Sequence, residues 1–201
     1  EIIAKLVADF ADRKLYIADG HHRYETALNY RNYCRENGIS KPGDPQDFQM
    51  IYLVDMEHPG LVVFPTHRLV RDLPNFDKEA VLEKCSEFFY IDEKEGTDTM
   101  EEDLKKLYDE GEKAFGFYCG KGEWFLLTLK DINVMSQMLP DVSKASQSLD
   151  VSVLHTLILE KIFGIDKENM AKQINLTYTK FFSEAISGVD NGKFQCSFVL
   201  N

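Results

Sequence analysis

Apolar residues at Ile2, Ile3, Leu6, Val7 and Phe10 recur at the spacing of one helix face, so the pattern opens on an amphipathic helix over residues 2–13. Residues 14–18 (KLYIA) then read as a short strand with Leu15 and Ile17 on one side, and Asp19-Gly20 breaks it. From about His22 to Asn37 the positions Tyr24, Ala27, Leu28, Tyr30 and Cys34 return to helical spacing, and Asn37-Gly38 supplies the stop. The opening of the chain therefore predicts helix, strand, tight turn and helix.

Residues 39–47 form a Pro/Gly loop, after which residues 48–56 and 61–69 read as two apolar strands joined as a hairpin across Glu57-His58-Pro59-Gly60. Residues 77–88 are helical in pattern and 89–91 extended. Residues 98–109 place Met100, Leu104, Leu107 and Tyr108 on one face of an acidic helix. A second hairpin runs over 114–119 and 124–130 across Gly120-Lys121-Gly122, with Tyr118 and Trp124 packed across it. Residues 150–163 make a strongly apolar helix, capped by Ser148 or Asp150 and stopped at Gly164. Residues 174–179, 181–186 and 194–200 close the chain as strand, helix and strand.

Helices and hairpins mix without regular alternation, so the expected class is α+β, with mixed, mostly antiparallel sheets and flanking helices. No convincing linker interrupts residues 1–201, which are expected to form a single domain or two tightly packed lobes. An apolar helical stripe beginning at Glu1, with no Met before it, points to a C-terminal fragment whose N-terminal segment is missing.

The 201 residues carry 23 Lys and Arg against 34 Asp and Glu, a formal charge of −11. That balance argues against a nucleic-acid partner, which requires a basic stripe to displace counterions. Four scattered cysteines without a C-x-x-C pair read as reduced thiols of a cytoplasmic protein, and no run approaches the roughly 18 apolar residues of a membrane span. The distribution of cations is more informative than their number. All six arginines and four of the five histidines fall within the first 71 residues. Since guanidinium is the planar fork that grips phosphate or carboxylate, an anion site belongs in the first third.

Within that third, Asp19-Gly20-His21-His22-Arg23 stands at a predicted helix start, where unpaired N–H groups and the positive end of the helix dipole favour phosphate. Gly20 lets an anion approach the backbone, and His21, His22 and Arg23 add donors. Asp19 suits an N-cap, a magnesium ligand or a histidine partner. The bland alternative is a packed, hydrogen-bonded helix corner, and a metal site from His21 and Glu25 lacks a third ligand. His67 and Arg68, at the end of an apolar strand, form a second His-Arg pair suited to another phosphate or a carboxylate; here the alternative is an ordinary strand end. His155, inside the apolar helix, reads as a core histidine.

The strings IADGHHRYETA, HPGLVVFPTHRLV, SLDVSVLH and NGKFQCSFVL, in that order along essentially the whole chain, closely resemble the C-terminal half of a bacterial family of unknown function, number 1015. Through its D-G-H-H-R loop that family is distantly similar to the ParB and sulfiredoxin-like group, where a strand–Gly–x–x–Arg–helix turn holds nucleotide phosphates. The resemblance implies that Gly20, His21, His22 and Arg23 occupy phosphate-loop positions and that Asp19 matches the acid preceding the glycine in the free serine kinases. The catalytic base of those kinases lies upstream and would fall before Glu1. Sulfiredoxin chemistry needs a cysteine after the glycine, where His21 stands.

Three functions follow as expectations. The first is a nucleotide-dependent phosphotransferase using ATP or ADP with Mg²⁺ on serine or phosphoserine, with Asp19 and His22 as catalytic residues and Gly20, His21, His22, Arg23, His67 and Arg68 holding phosphates. The second is a ParB-like nucleotide switch. The third is a non-catalytic scaffold.

Overall fold

The computed structural model describes residues 1–61 and 64–201, and the chain divides into two compact units, Glu1–Leu61 and Val62–Asn201. In the first, helix α1 (Ile2–Phe10) and helix α2 (His21–Glu36) follow the apolar periodicity that predicts them. Helix α2 ends where Asn37 Nδ2 donates to the Tyr33 carbonyl at 2.8 Å and the Ile39 N–H donates back to Cys34 O at 2.8 Å. The loop that follows is tied to α2 by Asp47, which accepts from Arg35 Nη2 at 2.7 Å and from the Gly43 N–H at 2.8 Å. Those two donors, the Gly43 N–H foremost, hold its carboxyl below the usual carboxylate range.

Two predicted strands are not formed here. Residues 14–18 and 48–56 carry no strand pairing, and Leu15, Tyr16, Ile17, Phe48, Met50, Ile51 and Tyr52 are exposed. The expected strand–turn–helix is thus a turn and a helix. Of the first predicted hairpin the turn exists, closed by the Leu61 N–H on the His58 carbonyl at 2.8 Å, and the end of the second strand, residues 67–69, forms but pairs with the far end of the chain; residues 62 and 63 lie outside the described residues. An apolar run specifies faces to bury, whereas a strand also needs a neighbouring backbone to complete its hydrogen bonds. Within Glu1–Leu61 no described segment supplies one, and Cys34 is the only buried residue.

The second unit is built on one sheet of six strands: β1 (His67–Val70), β2 (Phe89–Glu95), β3 (Ala114–Gly120), β4 (Glu123–Leu129), β5 (Leu176–Thr179) and β6 (Cys196–Val199). Their order is β2-β4-β3-β6-β1-β5, and every pairing is antiparallel. The fold class is therefore α+β. The predicted hairpin over β3 and β4 forms, with Tyr118 directly opposite Trp124, but β1 pairs with β5 and β6 from the far end of the chain.

Alternation along each strand divides the core in two. On one face Val70, Phe117, Leu127, Cys196 and Phe198 pack with Val153, Leu154, Leu157 and Ile158. On the other Leu69, Tyr118, Leu126 and Val199 pack with residues of helices named below, including Leu104 and Ala185. Helix α3 (Lys78–Cys85) is capped by Asp77, whose side chain accepts from the Glu79 N–H. Helix α4 (Met100–Asp109) buries Met100 and Leu104 but leaves Tyr108 exposed, against expectation, because Tyr108 lies past the edge of the buried stripe.

Short helices α5 (Val134–Met138) and α6 (Lys144–Gln147) lead into α7 (Asp150–Val153), which continues as a π-helix over Leu154–Glu160. Neither predicted cap holds: Ser148 closes α6, and α7 starts after Leu149 with no side-chain cap. Helix α8 (Lys167–Lys172) and helix α9 (Phe182–Asp190) complete the unit. Close approach of α9 to the sheet requires Gly188, where a Cβ would stand 2.8 Å from Phe194 Cδ2 and 3.2 Å from Leu69 Cδ2. Among the described residues no helix is long and apolar enough to cross a membrane.

Candidate functional site

In Glu1–Leu61 the chain enters α2 through Gly20 at φ +81°, a left-handed conformation that disfavours any side chain. Space imposes the same choice, since a Cβ there would lie 3.0 Å from Arg23 Nη2. The guanidinium is folded back over the turn and held by Asp19, whose Oδ2 accepts from Nη2 at 3.0 Å. Asp19 is therefore the partner of Arg23, not an N-cap; Gly20 occupies the cap position and no side chain satisfies the helix start. The first N–H groups of a helix have no intrahelical acceptor, so those of His21, His22 and Arg23 point outward together. The whole cluster is solvent-accessible, with the His22 side chain fully exposed. His22 Nδ1 lies 3.5 Å from Glu25 Oε2, so Glu25 neighbours His22 and not His21. Among the described residues no three His, Cys, Asp or Glu side chains gather as a metal site.

The second His-Arg pair sits on β1 of the other unit, and adjacent strand residues face opposite ways. His67 lies on the α9 side, where its Nδ1 accepts from the Leu200 N–H at 3.2 Å and its ring meets Phe182 edge-on at 6.4 Å. Arg68 lies on the π-helix side. There Nε and Nη2 contact His155 Nε2 at 3.3 and 3.1 Å, Nη1 donates to the Thr66 carbonyl, and the guanidinium carbon stands 5.4 Å from the Tyr178 ring. The sheet thus separates His67 from Arg68 and joins Arg68 to His155, a residue that sequence reading assigned to the core. Burial, then the Arg68 charge, lowers both His67 and His155 to about 4, so both rings are neutral at physiological pH.

An open cavity of about 540 Å³ in the same unit is lined by Phe76, Lys78, Cys119, Glu123, Val189 and Asp190 among others. Of its charged groups, Lys78, Glu123 and Asp190 are already engaged. Lys78 Nζ lies 2.7 Å from Glu123 Oε2, and Asp190 Oδ1 accepts from the Tyr118 hydroxyl at 2.7 Å and the Lys121 N–H at 2.9 Å. Burial pushes the Cys119 thiol up to about 12, which removes it as a nucleophile at neutral pH.

An α+β chain with an open, glycine-led helix start in one unit and an antiparallel sheet carrying a buried arginine in the other is the class these features define. The sequence model of the family described as "Protein of unknown function (DUF1015)" matches residues 1–152, more than half the chain, and the protein belongs to that family. Neither the curated proteins nor the solved structures contain a match.

Proposed function

We propose that the turn at residues 19–23 binds a phosphate group of a nucleotide, and that the protein is a nucleotide-dependent phosphotransferase acting on a small hydroxy amino acid such as serine or phosphoserine. The observation carrying this reading is the uncapped start of α2. A left-handed Gly20, free N–H groups at His21, His22 and Arg23, and the Arg23 guanidinium lie together at the positive end of a 16-residue helix.

The ion pair between Arg23 and Asp19 supplies a chemical logic. A phosphate accepted by the N–H groups competes with Asp19 for the guanidinium and, gripped bidentately, draws it over. The released Asp19 carboxylate then stands beside the phosphates, where it can coordinate Mg²⁺ brought by ATP or ADP or accept the hydroxyl proton of the acceptor. His22, exposed next to Glu25, is the second group placed to move a proton. Mg²⁺ would neutralise charge developing on the transferred phosphoryl group. His67 and Arg68, also expected to hold phosphates, belong to the other unit, and the reading does not depend on them.

Calorimetric titration of ATP and ADP with Mg²⁺ into wild type and Arg23→Ala tests the proposal. The substitution weakens binding by about 1.5–3 kcal/mol, the range of a hydrogen bond to a charged group. Equal affinities overturn it. Phosphoryl transfer to serine, or from phosphoserine to ADP, is assayed in parallel. Binding without turnover assigns a nucleotide switch instead, and neither binding nor turnover assigns a scaffold.

A further inference from the structure

We infer that Arg68 and His155 form a binding site for an oxyanion, the carboxylate or phosphate of a small ligand, on the π-helix face of the six-stranded sheet near the start of β1. The inference concerns Val62–Asn201 alone and stands apart from the proposed turn at Gly20.

Arg68 is only 5% exposed, and a cation so buried is ordinarily paired with an acid. Among the described residues no carboxylate fills that role. Asp150, on the helix that carries His155, lies 3.2 Å from Lys113. Glu184 on α9 accepts from Thr179, which stands opposite His67 in the ladder and so shares the other face of the sheet. The two residues that are not described, Val62 and Val63, carry no charge.

The donor geometry is also incomplete. A guanidinium has five N–H groups, and those on Nε and one side of Nη2 form the fork that a carboxylate or phosphate accepts with two oxygens. Here that fork converges on one ring nitrogen, so two donors share a single lone pair. Nη1 uses one further N–H on the Thr66 carbonyl, and two N–H groups are left without an acceptor among the described residues.

Thr66 is exposed, and His155 and Tyr178 are half-buried, so the guanidinium lies just beneath the rim of the sheet. Lys180, directly after β5, is exposed at the same end. His155 itself occupies a π-helical turn, an irregular and costly form that concentrates at functional positions. An oxyanion placed here would satisfy the cation that burial leaves uncompensated, and would offset the part of the His155 shift that the Arg68 charge adds to burial.

The test follows the Arg68 Nε–H and His155 ring signals by NMR in the whole chain, at constant ionic strength. Inorganic phosphate, acetate and succinate are titrated separately, with chloride as control. Saturable shifts of both signals by phosphate alone assign a phosphate ligand, and by acetate or succinate alone a carboxylate. The His155 pKa rises above about 4 in the bound form, since the anion offsets the Arg68 charge while burial persists. Arg68→Met weakens binding at least about tenfold, while Arg23→Ala leaves the response unchanged, so this site and the Gly20 site fail separately. Should Arg68→Met not fold, the wild-type titration still decides, because the signals are those of the proposed ligands. No saturable shift with any of the three anions overturns the inference, as does unchanged binding in a folded Arg68→Met.

Discussion

Arg68 on β1 and His155 in the π-helical turn, 87 positions apart along the chain, meet with 3.1 Å between Nη2 and Nε2. Because arginine is always a donor, the ring must present a lone pair at Nε2 and carry its proton on Nδ1. A protonated His155 would set two cations against each other under little solvent, which is the physical basis for the pH behaviour of the second unit.

His67 and His155 both titrate at about 4 in the folded protein against 6.5 when free. Between those values the unfolded chain binds more protons, so stability is full above 6.5 and is lost as pH falls towards 4. Thermal unfolding midpoints should be level above pH 6.5 and decline below it. The double substitution His67→Gln with His155→Gln should flatten that decline. Identical declines in the two proteins would remove the histidines from the account.

Gly20→Ala places a side chain at φ +81° and a methyl group against the Arg23 guanidinium. The left-handed conformation costs about 1–2 kcal/mol for a residue with a Cβ, and the displaced guanidinium no longer covers the turn. The expected outcome is a lower denaturation midpoint together with weakened phosphate binding. Gly20→Asn, which tolerates the left-handed region better, should lose less stability in the same measurements.

Within an ordinary helix Gly→Ala stabilises by about 1 kcal/mol. At Gly188 the sign should reverse, since the added methyl would lie 2.8 Å from the Phe194 ring and must push α9 from the sheet. Overpacking of this kind costs about 1–3 kcal/mol, leaving a net loss of up to about 2 kcal/mol. A urea midpoint that rises in Gly188→Ala would contradict the packing described here.

The Tyr118 hydroxyl donates to Asp190 and accepts from the Gly122 N–H at 3.0 Å, fastening the β3–β4 turn to the end of α9. Tyr118→Phe leaves the Gly122 N–H without its acceptor and Asp190 with the Lys121 N–H alone, and should cost about 1–3 kcal/mol. Amide exchange at Lys121 and Gly122 should quicken more than elsewhere in β3 and β4. Uniform exchange across the hairpin would show that the turn is held by its backbone alone.

Much of this architecture was legible in the order of residues, because the interactions involved are local. The β3–β4 hairpin followed from two apolar runs flanking Gly120-Lys121-Gly122, and α2 from its 3.6-residue spacing and the Asn37-Gly38 stop. The glycine-led start of α2 at residues 19–23 was legible as well, since a glycine and the helix after it need only their immediate neighbours.

The remainder depended on partners distant in the chain. Residues 14–18 and 48–56 have the composition of strands, but composition cannot provide the second backbone a ladder needs, and they stand unpaired. The change from α to π geometry after Val153 has no signature in the apolar pattern of that helix. His67 and Arg68, adjacent in sequence, are divided by strand alternation, and what Arg68 meets instead was set by β1 pairing between β5 and β6 beneath the helix bearing His155. Local sequence determined which elements could form and where a glycine-led turn opens α2. The tertiary structure decided which side chains share a site, because burial and charge pairing depend on contacts that only the folded sheet creates.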